Sequence, residues 1–514
     1  MQSGRKKKVV KNVISQSVFS VVQAVMSFVL RRIFIIYLSK ELLGLNGLLT
    51  SILGALSIAE LGVGEAINFS LYKPLANGDK EMVKSIMRLY QKLYIIIGFI
   101  ITVLGLFFIP FLHLVVKEPV SMGYVYKVYA VFLLDTFLSY CLAYSRNIIS
   151  ADQKDYIVTN TDSIAQIITT ILQIAVLAIC RNYIIYLFVK IFVFVMRDFY
   201  LYKKSLKLFS FLKEKNVNSL SKDYMSKLFE NVKTLFVIKI AYFCVAGTDN
   251  ILLSTFISLT SVAIYANYVS IIAIVNKAFN TIFDKARASI GNYLETENSE
   301  KSYDLFKKLF FVNFIFTSYT SVCMFILMNE MVIIWMGSDF IWPVSIVGIL
   351  VCNNYFRYIL QSCEAFRGAA GLYSPRPFVK YLSLMEGIIN LIVSVFCIKI
   401  FNMGVCGVFV GTFVSTFVST VGVPWIVYRF LFKKPLRQYF ILYLKYGVGG
   451  LIAASVSYFI FNLIYASNHW LNILTGGVTC TLITGIVYVL LYHKLDEYRY
   501  FTVLLKRIMK RTDN

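Results

Sequence analysis

Fourteen predominantly apolar stretches, each long enough at roughly 20 residues to cross a bilayer as a helix, follow one another along this chain of 514 residues. They cover 13–38, 43–70, 89–112, 123–145, 156–180, 182–202, 233–257, 260–283, 306–329, 343–366, 380–400, 404–430, 440–465 and 470–492. A helix satisfies its own backbone hydrogen bonds in lipid, so runs of this length predict an all-α integral membrane protein with about 14 transmembrane helices. The composition agrees, since 58% hydrophobic and 15% charged residues lie outside the range of soluble domains. The net charge of +24 raises two readings, a nucleic-acid binder or a membrane protein with basic cytoplasmic loops. Position decides between them. Alternate connections taken with their adjoining helix ends (the N-terminus with Arg5-Lys6-Lys7-Lys8, then 73–92, 146–154, 203–233, 285–308, 367–380, 429–445 and the tail from Lys494) hold 39 Lys and Arg residues, whereas the segments between those, taken likewise, hold only Lys40, Lys117, Arg181 and Lys399 outside the spans. Both termini are therefore expected on the cytoplasmic side, and nucleic acid is excluded as a partner.

Other chemistries find little to build on. The nine cysteines are scattered singly without a CxxC pair, and the three histidines (His113, His469, His493) stand far apart, so no metal site is expected. The basic N-terminus followed by an apolar run resembles a signal peptide, but the run is too long and lacks a small-residue cleavage site, which predicts a retained first helix. No connection is large enough for a catalytic domain.

The longest polar connection, 203–232, follows the sixth run and reads as a basic cytoplasmic linker between two six-helix lobes, 1–202 and 233–432. A shift of 219 residues lays one half on the other, carrying 13–38 onto 232–257 and Leu75–Tyr90 onto Leu294–Leu309. Six spans per repeat is an even number, so the halves would run parallel with a path between them. Residues 433–514, the last two spans and a basic tail, stand outside the repeat.

Several spans carry polar rows at helical spacing. The first has Asn12, Gln16, Ser20, Gln23, Ser27 and Arg31, followed by Arg32. The second has Ser57, Glu60, Gly64 and Glu65, and the fifth Asp162, Gln166, Thr169, Thr170 and Gln173. The seventh adds Lys239, Tyr242, Asp249 and Asn250, the eighth Asn267, Tyr268, Asn276 and Lys277, and the tenth Asn354, Arg357, Gln361 and Glu364. An arginine at the centre of a span costs roughly 2.5–3.5 kcal/mol on insertion scales, so these rows are expected to face a shared polar cavity. Each member also has a structural reading: Glu65, Glu364 and Lys277 can snorkel to a membrane surface, and Arg357 and Glu364, seven apart, are spaced to pair. Arg31, Arg32, Lys239, Lys277 and Arg357 supply cations suited to a pyrophosphate or acidic sugars, while Gln16, Gln23, Gln166, Asn354 and Gln361 suit sugar hydroxyls. Glu60, Asp162, Asp249 and Glu364 are candidates for a coupling proton or sodium ion or for a gate. The 219-residue shift sets Arg31 beside Asp249, which marks that pair for an outer gate and leaves Arg357 for the phosphate.

The run Leu56-Ser57-Ile58-Ala59-Glu60-Leu61-Gly62-Val63-Gly64, the segment Leu71-Tyr72-Lys73-Pro74-Leu75-Ala76 with Asp79-Lys80, the triplet Thr248-Asp249-Asn250 and Ala288-Ser289-Ile290-Gly291-Asn292 resemble Wzx-type polysaccharide flippases. These belong to the multidrug/oligosaccharidyl-lipid/polysaccharide (MOP) exporter superfamily. The resemblance covers about residues 10–435 and implies a MATE-like V-shaped pair of lobes, monomeric, working by alternating access in a bacterial cytoplasmic membrane. It implies an undecaprenyl-pyrophosphate-linked oligosaccharide as cargo, no bound cofactor, and glycosyltransferase and glycan polymerase machinery as partners. Fourteen spans also resemble the lipid II flippase branch, whose extra helix pair contributes a groove for the lipid tail. A drug or cation antiporter is the alternative within the superfamily, and would favour an acidic, aromatic cavity over one rich in Arg and Lys. A membrane-embedded polymerase or ligase is the third reading, and the large outer loop usual in that class is missing.

Overall fold

The computed structural model describes residues 22–503 apart from 61–62, 118–119, 215–219, 373–376 and positions 227, 229, 231, 233–235, 237–239, 241–242 and 245–246. Every regular element among the described residues is helical. The chain divides into two compact units, Met1–Ala263 and Ile264–Asn514.

The first unit contains α1 (22–37), α2 (Lys40–Leu56), α3 (Val63–Ala76), α4 (Lys80–Phe108), α5 (Met122–Ala151), α6 (Asp155–Cys180), α7 (Tyr183–Leu208) and the short α8 (Asp249–Phe256). Helix α9 (Leu259–Thr296) begins in this unit and continues into the second. The second unit then holds α10 (Ser299–Met336), α11 (Val344–Ile359), α12 (Gln361–Ala369), α13 (Pro377–Lys399), α14 (Val405–Ile426), α15 (Arg437–Leu463) and α16 (His469–Tyr492).

Nine helices among the described residues are long and apolar enough to cross a membrane. The chain is a multi-pass membrane protein. Each of the other five apolar runs has a reason to miss that criterion. Much of 13–38 and of 233–257 lies outside the described residues. The run 182–202 forms α7, which carries Lys190, Arg197 and Asp198 in its apolar half. The remaining two, 43–70 and 343–366, are broken into shorter helices: α2 ends in a 3-10 turn at Ser57–Glu60 before α3 starts at Val63, and α11 gives way to α12 at Leu360.

A break inside an apolar bundle leaves carbonyl groups without their helical donors, and lipid offers none. At Leu360 the gap is filled by Asn313 of α10, fully buried, whose side-chain amide donates to the Tyr358 carbonyl at 3.0 Å and to the Ile359 carbonyl at 2.9 Å. At the earlier break the Glu60 carboxylate accepts from the Tyr94 hydroxyl at 2.5 Å and from the Tyr140 hydroxyl at 3.2 Å. Gly64 makes room for this tyrosine cluster, since a Cβ there would lie 2.8 Å from the Tyr94 hydroxyl oxygen.

Helix starts recur at the spacing read from the sequence. The Ser39 hydroxyl accepts from the Leu42 N–H at 3.3 Å, and 219 residues later the Ser258 hydroxyl accepts from the Ser261 N–H at 3.0 Å. Asp79 likewise caps α4 through the Met82 N–H at 2.9 Å, and Asn298 caps α10 through the Lys301 N–H at 3.0 Å. Such caps satisfy amides that the first helical turn leaves open.

Apolar burial gives little drive for helix association in lipid, so close backbone approach and hydrogen bonds must supply it. Helices α13 and α14 meet along Gly407, Gly411 and Ser415, spaced by four. A Cβ on Gly411 would fall 1.9 Å from the Ser394 hydroxyl and 2.7 Å from its backbone nitrogen. Across this seam Asn390 donates to Thr412 at 2.9 Å and Ser394 to the Val408 carbonyl at 3.1 Å. The α15–α16 hairpin is bound to α10 by a polar strip. Ser318 contacts the Tyr488 hydroxyl, Tyr319 lies 2.9 Å from Thr481, and the buried Glu330 carboxylate receives Tyr465 at 3.0 Å, His469 Nδ1 at 2.8 Å and Asn472 at 3.2 Å. An aromatic cluster of Phe306, Phe310, Phe311, Phe314, Tyr446 and Tyr492 closes the other end of that contact.

Candidate functional site

The fifth-span row lies on α6 and faces α5 and α7, where it meets charges in two tiers. In one tier Lys190 of α7 holds Asp135 of α5 at 2.9 Å beside Gln166, Thr169 and Gln173 of α6. Together with Asn46 and Thr50 of α2 these side chains border a cavity of about 220 Å³. In the other tier, toward the start of α6, Asp162 contacts Arg146 of α5 and lies 3.6 Å from Arg197 of α7. Arg197 in turn grips Asp198 with two bonds of 2.9 and 3.0 Å, and Asp198 lies 3.8 Å from Arg146. Two arginines and two aspartates thus cancel inside the apolar bundle, the arrangement that makes an intramembrane charge tolerable.

Gln23 of α1 donates to the Ser163 carbonyl at 3.5 Å, and the Arg31 guanidinium reaches the Ala263 carbonyl at 3.4 Å. Arg32, one position on, is exposed. Asp249 is buried at the first turn of α8, and the adjoining Asn250 donates to Ser51 of α2 at 2.9 Å. Gln16 and Lys239 lie outside the described residues.

In the second unit Asn354 is buried on α11, Gln361 opens α12 with a 3.2 Å bond to Asn280, and Lys277 is exposed on α9. Arg357 does not pair with Glu364. The break at Leu360 destroys the seven-residue register between them, and Arg357 instead lies 3.7 Å from Glu386 of α13, which also accepts from Ser419. Glu364 pairs with Arg367 at 3.0 Å. The structure thus gathers Asp162 and Gln166 into one polar strip and sets Arg357, Gln361 and Glu364 around one helix break.

Sequence reasoning passed over Asp135, Arg146, Asp198, Glu330 and Glu386. A single signal would have found most of them: all but Asp198, which adjoins Arg197, are lone charges within or at the rim of an apolar run, and such a residue needs a counter-charge or polar partner on a neighbouring helix.

The polar strip inside an all-helical membrane bundle is the setting for the comparisons with known proteins. The family model for polysaccharide biosynthesis proteins matches residues 9–287, more than half of the chain. The chain belongs to the polysaccharide biosynthesis protein family. Solved structures of similar fold accompany the family match. The lipid II flippase MurJ in an inward closed conformation is similar at a TM-score of 0.70 and 15% identity, covering 94% of this chain and 99% of that one. An inward-facing multidrug resistance MATE transporter of the MOP superfamily follows at 0.63 and 15%, covering 79% and 94%. A MATE transporter from Vibrio cholerae gives 0.54 and 12%, covering 84% and 98%. No curated protein matches the chain. Family and fold agree with the Wzx-type resemblance carried by the motifs at 56–64 and 71–80.

Proposed function

We propose that this member of the polysaccharide biosynthesis family carries an undecaprenyl-pyrophosphate-linked oligosaccharide from the inner to the outer leaflet of a bacterial cytoplasmic membrane, making and breaking no bond. It does so as a fourteen-span monomer with both termini inside, by alternating access. The observation that carries the reading is coverage. The lipid II flippase accounts for 94% of this chain, the two MATE transporters for 79% and 84%, so the flippase likeness takes in more of a chain that ends in the extra α15–α16 hairpin.

That hairpin supports the same reading by its chemistry. Between α10, α11 and α15 lies a cavity of about 400 Å³ whose walls are almost wholly apolar, including Val322, Phe325, Val351, Phe356, Leu444 and Leu451. Such a cavity suits a polyprenyl tail. Arg31 and Arg32 of the first unit, with Lys239, and Lys277 and Arg357 of the second are each candidate cations for a phosphate. Glu60, Asp162 and Asp249 supply carboxylates for a coupling proton or sodium ion. The cargo would come from glycosyltransferases and pass to a glycan polymerase.

The test is reconstitution of the full chain in liposomes with fluorescent undecaprenyl-pyrophosphate-linked oligosaccharide, with a membrane-impermeant quencher reporting the outer leaflet. Protein-dependent transfer that falls in Arg31→Ala, Arg357→Ala and Asp249→Ala is expected. Transfer unchanged in all three, with the protein folded, would overturn the residue assignments. Movement of organic cations without movement of lipid would favour the antiporter.

A further inference from the structure

We propose that the 220 Å³ cavity of the first unit is a binding subsite for one uncharged sugar ring, formed by Asn46, Asp135, Gln166, Thr169, Gln173 and Lys190. The inference rests on the reading of the protein as a glycan carrier and assigns a class to part of its cargo.

Four features of the cavity point to such a ligand. The first is the Thr169 hydroxyl, 1% exposed and bordering the cavity, which has no hydrogen-bond partner among the described residues. A buried hydroxyl is disfavoured unless something supplies a partner. The second is the set of bonding positions left over by internal contacts. Tyr183 donates to Asn46 Oδ1 at 2.9 Å, which turns both amide hydrogens of Asn46 to further use. Gln173 donates its amide to the Tyr186 carbonyl at 3.1 Å and keeps its carbonyl oxygen as an acceptor. Lys190 occupies one oxygen of Asp135 at 2.9 Å, and the pair retains ammonium hydrogens and a second carboxylate oxygen. Donors and acceptors are therefore mixed around one space, as a polyhydroxylated ring requires, because each sugar hydroxyl both gives and accepts.

The third feature is charge. Asp135 and Lys190 cancel, and an ion of either sign entering the cavity would meet one wall of its own sign, so the site disfavours a free cation and a phosphate alike. The fourth is shape. Phe132, Tyr186 and Phe194 give apolar walls between the polar groups, and the volume holds about seven waters at liquid density, the scale of one pyranose ring.

The test uses the full-length protein in nanodiscs and a panel of methyl glycosides: neutral hexosides, N-acetylhexosaminides and a uronide, with saturation-transfer NMR and calorimetry as readouts. At least one neutral glycoside should bind saturably, and the uronide should bind more weakly than its neutral parent. Thr169→Val and Gln166→Ala should each weaken that binding by about tenfold, the loss of one to two hydrogen bonds. Thr169→Val should at the same time raise the thermal transition, because it replaces an unpartnered buried hydroxyl with a methyl of the same shape. A residue with a structural role alone would not move the two readouts in opposite directions. Absence of saturable binding by every neutral glycoside, or binding untouched by both substitutions, overturns the proposal. Leaflet transfer without glycoside binding removes this subsite and leaves the flippase standing. Glycoside binding that fails in Thr169→Val, in a protein that transfers no lipid, does the reverse.

Discussion

The two-arginine, two-aspartate cluster of the first unit gives a sharp energetic prediction, because its members differ in burial. Asp198 is 4% exposed and Arg197 12%, while Arg146 and Asp162 are 25% and 33% exposed. Replacing Asp198 with Asn removes one negative charge from the driest position and leaves Arg197 and Arg146 to share Asp162. Stranding one member of a buried ion pair costs about 3–5 kcal/mol. At 1.4 kcal/mol per factor of ten, the folded-to-unfolded ratio should fall by about two to four orders of magnitude. Asp162→Asn should cost clearly less than Asp198→Asn, because that carboxylate is the less buried of the two and leaves the close Arg197–Asp198 pair intact. Arg197→Met should cost nearly as much as Asp198→Asn, yet the double variant removes both charges and leaves the neutral Arg146–Asp162 pair in place. Its loss should be smaller than the sum of the two single losses by at least about 2 kcal/mol. Equilibrium unfolding of the purified protein in mixed micelles, followed by circular dichroism, measures all four variants. Additive losses, or an Asp162→Asn loss equal to that of Asp198→Asn, would refute the claim that burial sets the energies of this cluster.

Three further outcomes follow from other parts of the fold. Asn313→Leu keeps the side-chain volume but strips the donors from the Tyr358 and Ile359 carbonyls; it should lower stability by about 1–3 kcal/mol in the same unfolding assay, and Asn313→Asp should lower it further by setting an acceptor against two acceptors. Gly411→Leu would drive a branched side chain into the backbone of Ser394, so folded protein recovered by size-exclusion chromatography should drop well below that of Ser415→Ala on the same helix face. Gly447 borders the apolar cavity, and a Cβ there meets nothing within 4 Å; Gly447→Phe should therefore fold with an unchanged thermal transition while slowing leaflet transfer of lipid-linked oligosaccharide, and normal transfer would remove the tail from that cavity.

Much of the architecture was legible because lipid imposes a strong rule on sequence. A spanning segment must be apolar over about 20 residues, and among the described residues nine of the fourteen predicted runs appear as helices of that kind. Caps were legible for a similar reason: the polar turn before Lys80 ends in Asp79 and the one before Ser299 ends in Asn298, residue types whose short side chains can reach back to the first turn. Partners were not legible. Nothing in the spacing of Arg357 and Glu364 reveals that the helix between them breaks at Leu360, since the donor that permits the break, Asn313, comes from another helix 45 residues earlier. Asp162 was read as a member of a row, but its ion-pair partners are Arg146 and Arg197, which sit on two other helices. Hydropathy is local in sequence, whereas charge compensation is local only in space.

The runs that fail as plain spans also hold much of the polar chemistry. The broken run 43–70 carries Glu60 with its tyrosines, the broken run 343–366 carries Arg357, Gln361 and Glu364, and the run 182–202, as α7, carries Lys190, Arg197 and Asp198. Each departure has a nearby compensating group: Asn313 for the freed carbonyls, Glu386 for Arg357, Asp135 for Lys190. A sequence under pressure only to span a membrane would lose both the departure and its compensation together, because an apolar helix needs neither. Retaining the two halves of such pairs on separate helices makes sense when the polar group itself is needed in the membrane, as it is in a protein that must give a sugar or a phosphate somewhere to bind on its way across. The substitutions that separate stability from transfer should therefore fall in these three runs, and replacing a pair by matched apolar residues should leave a folded protein that no longer moves its cargo.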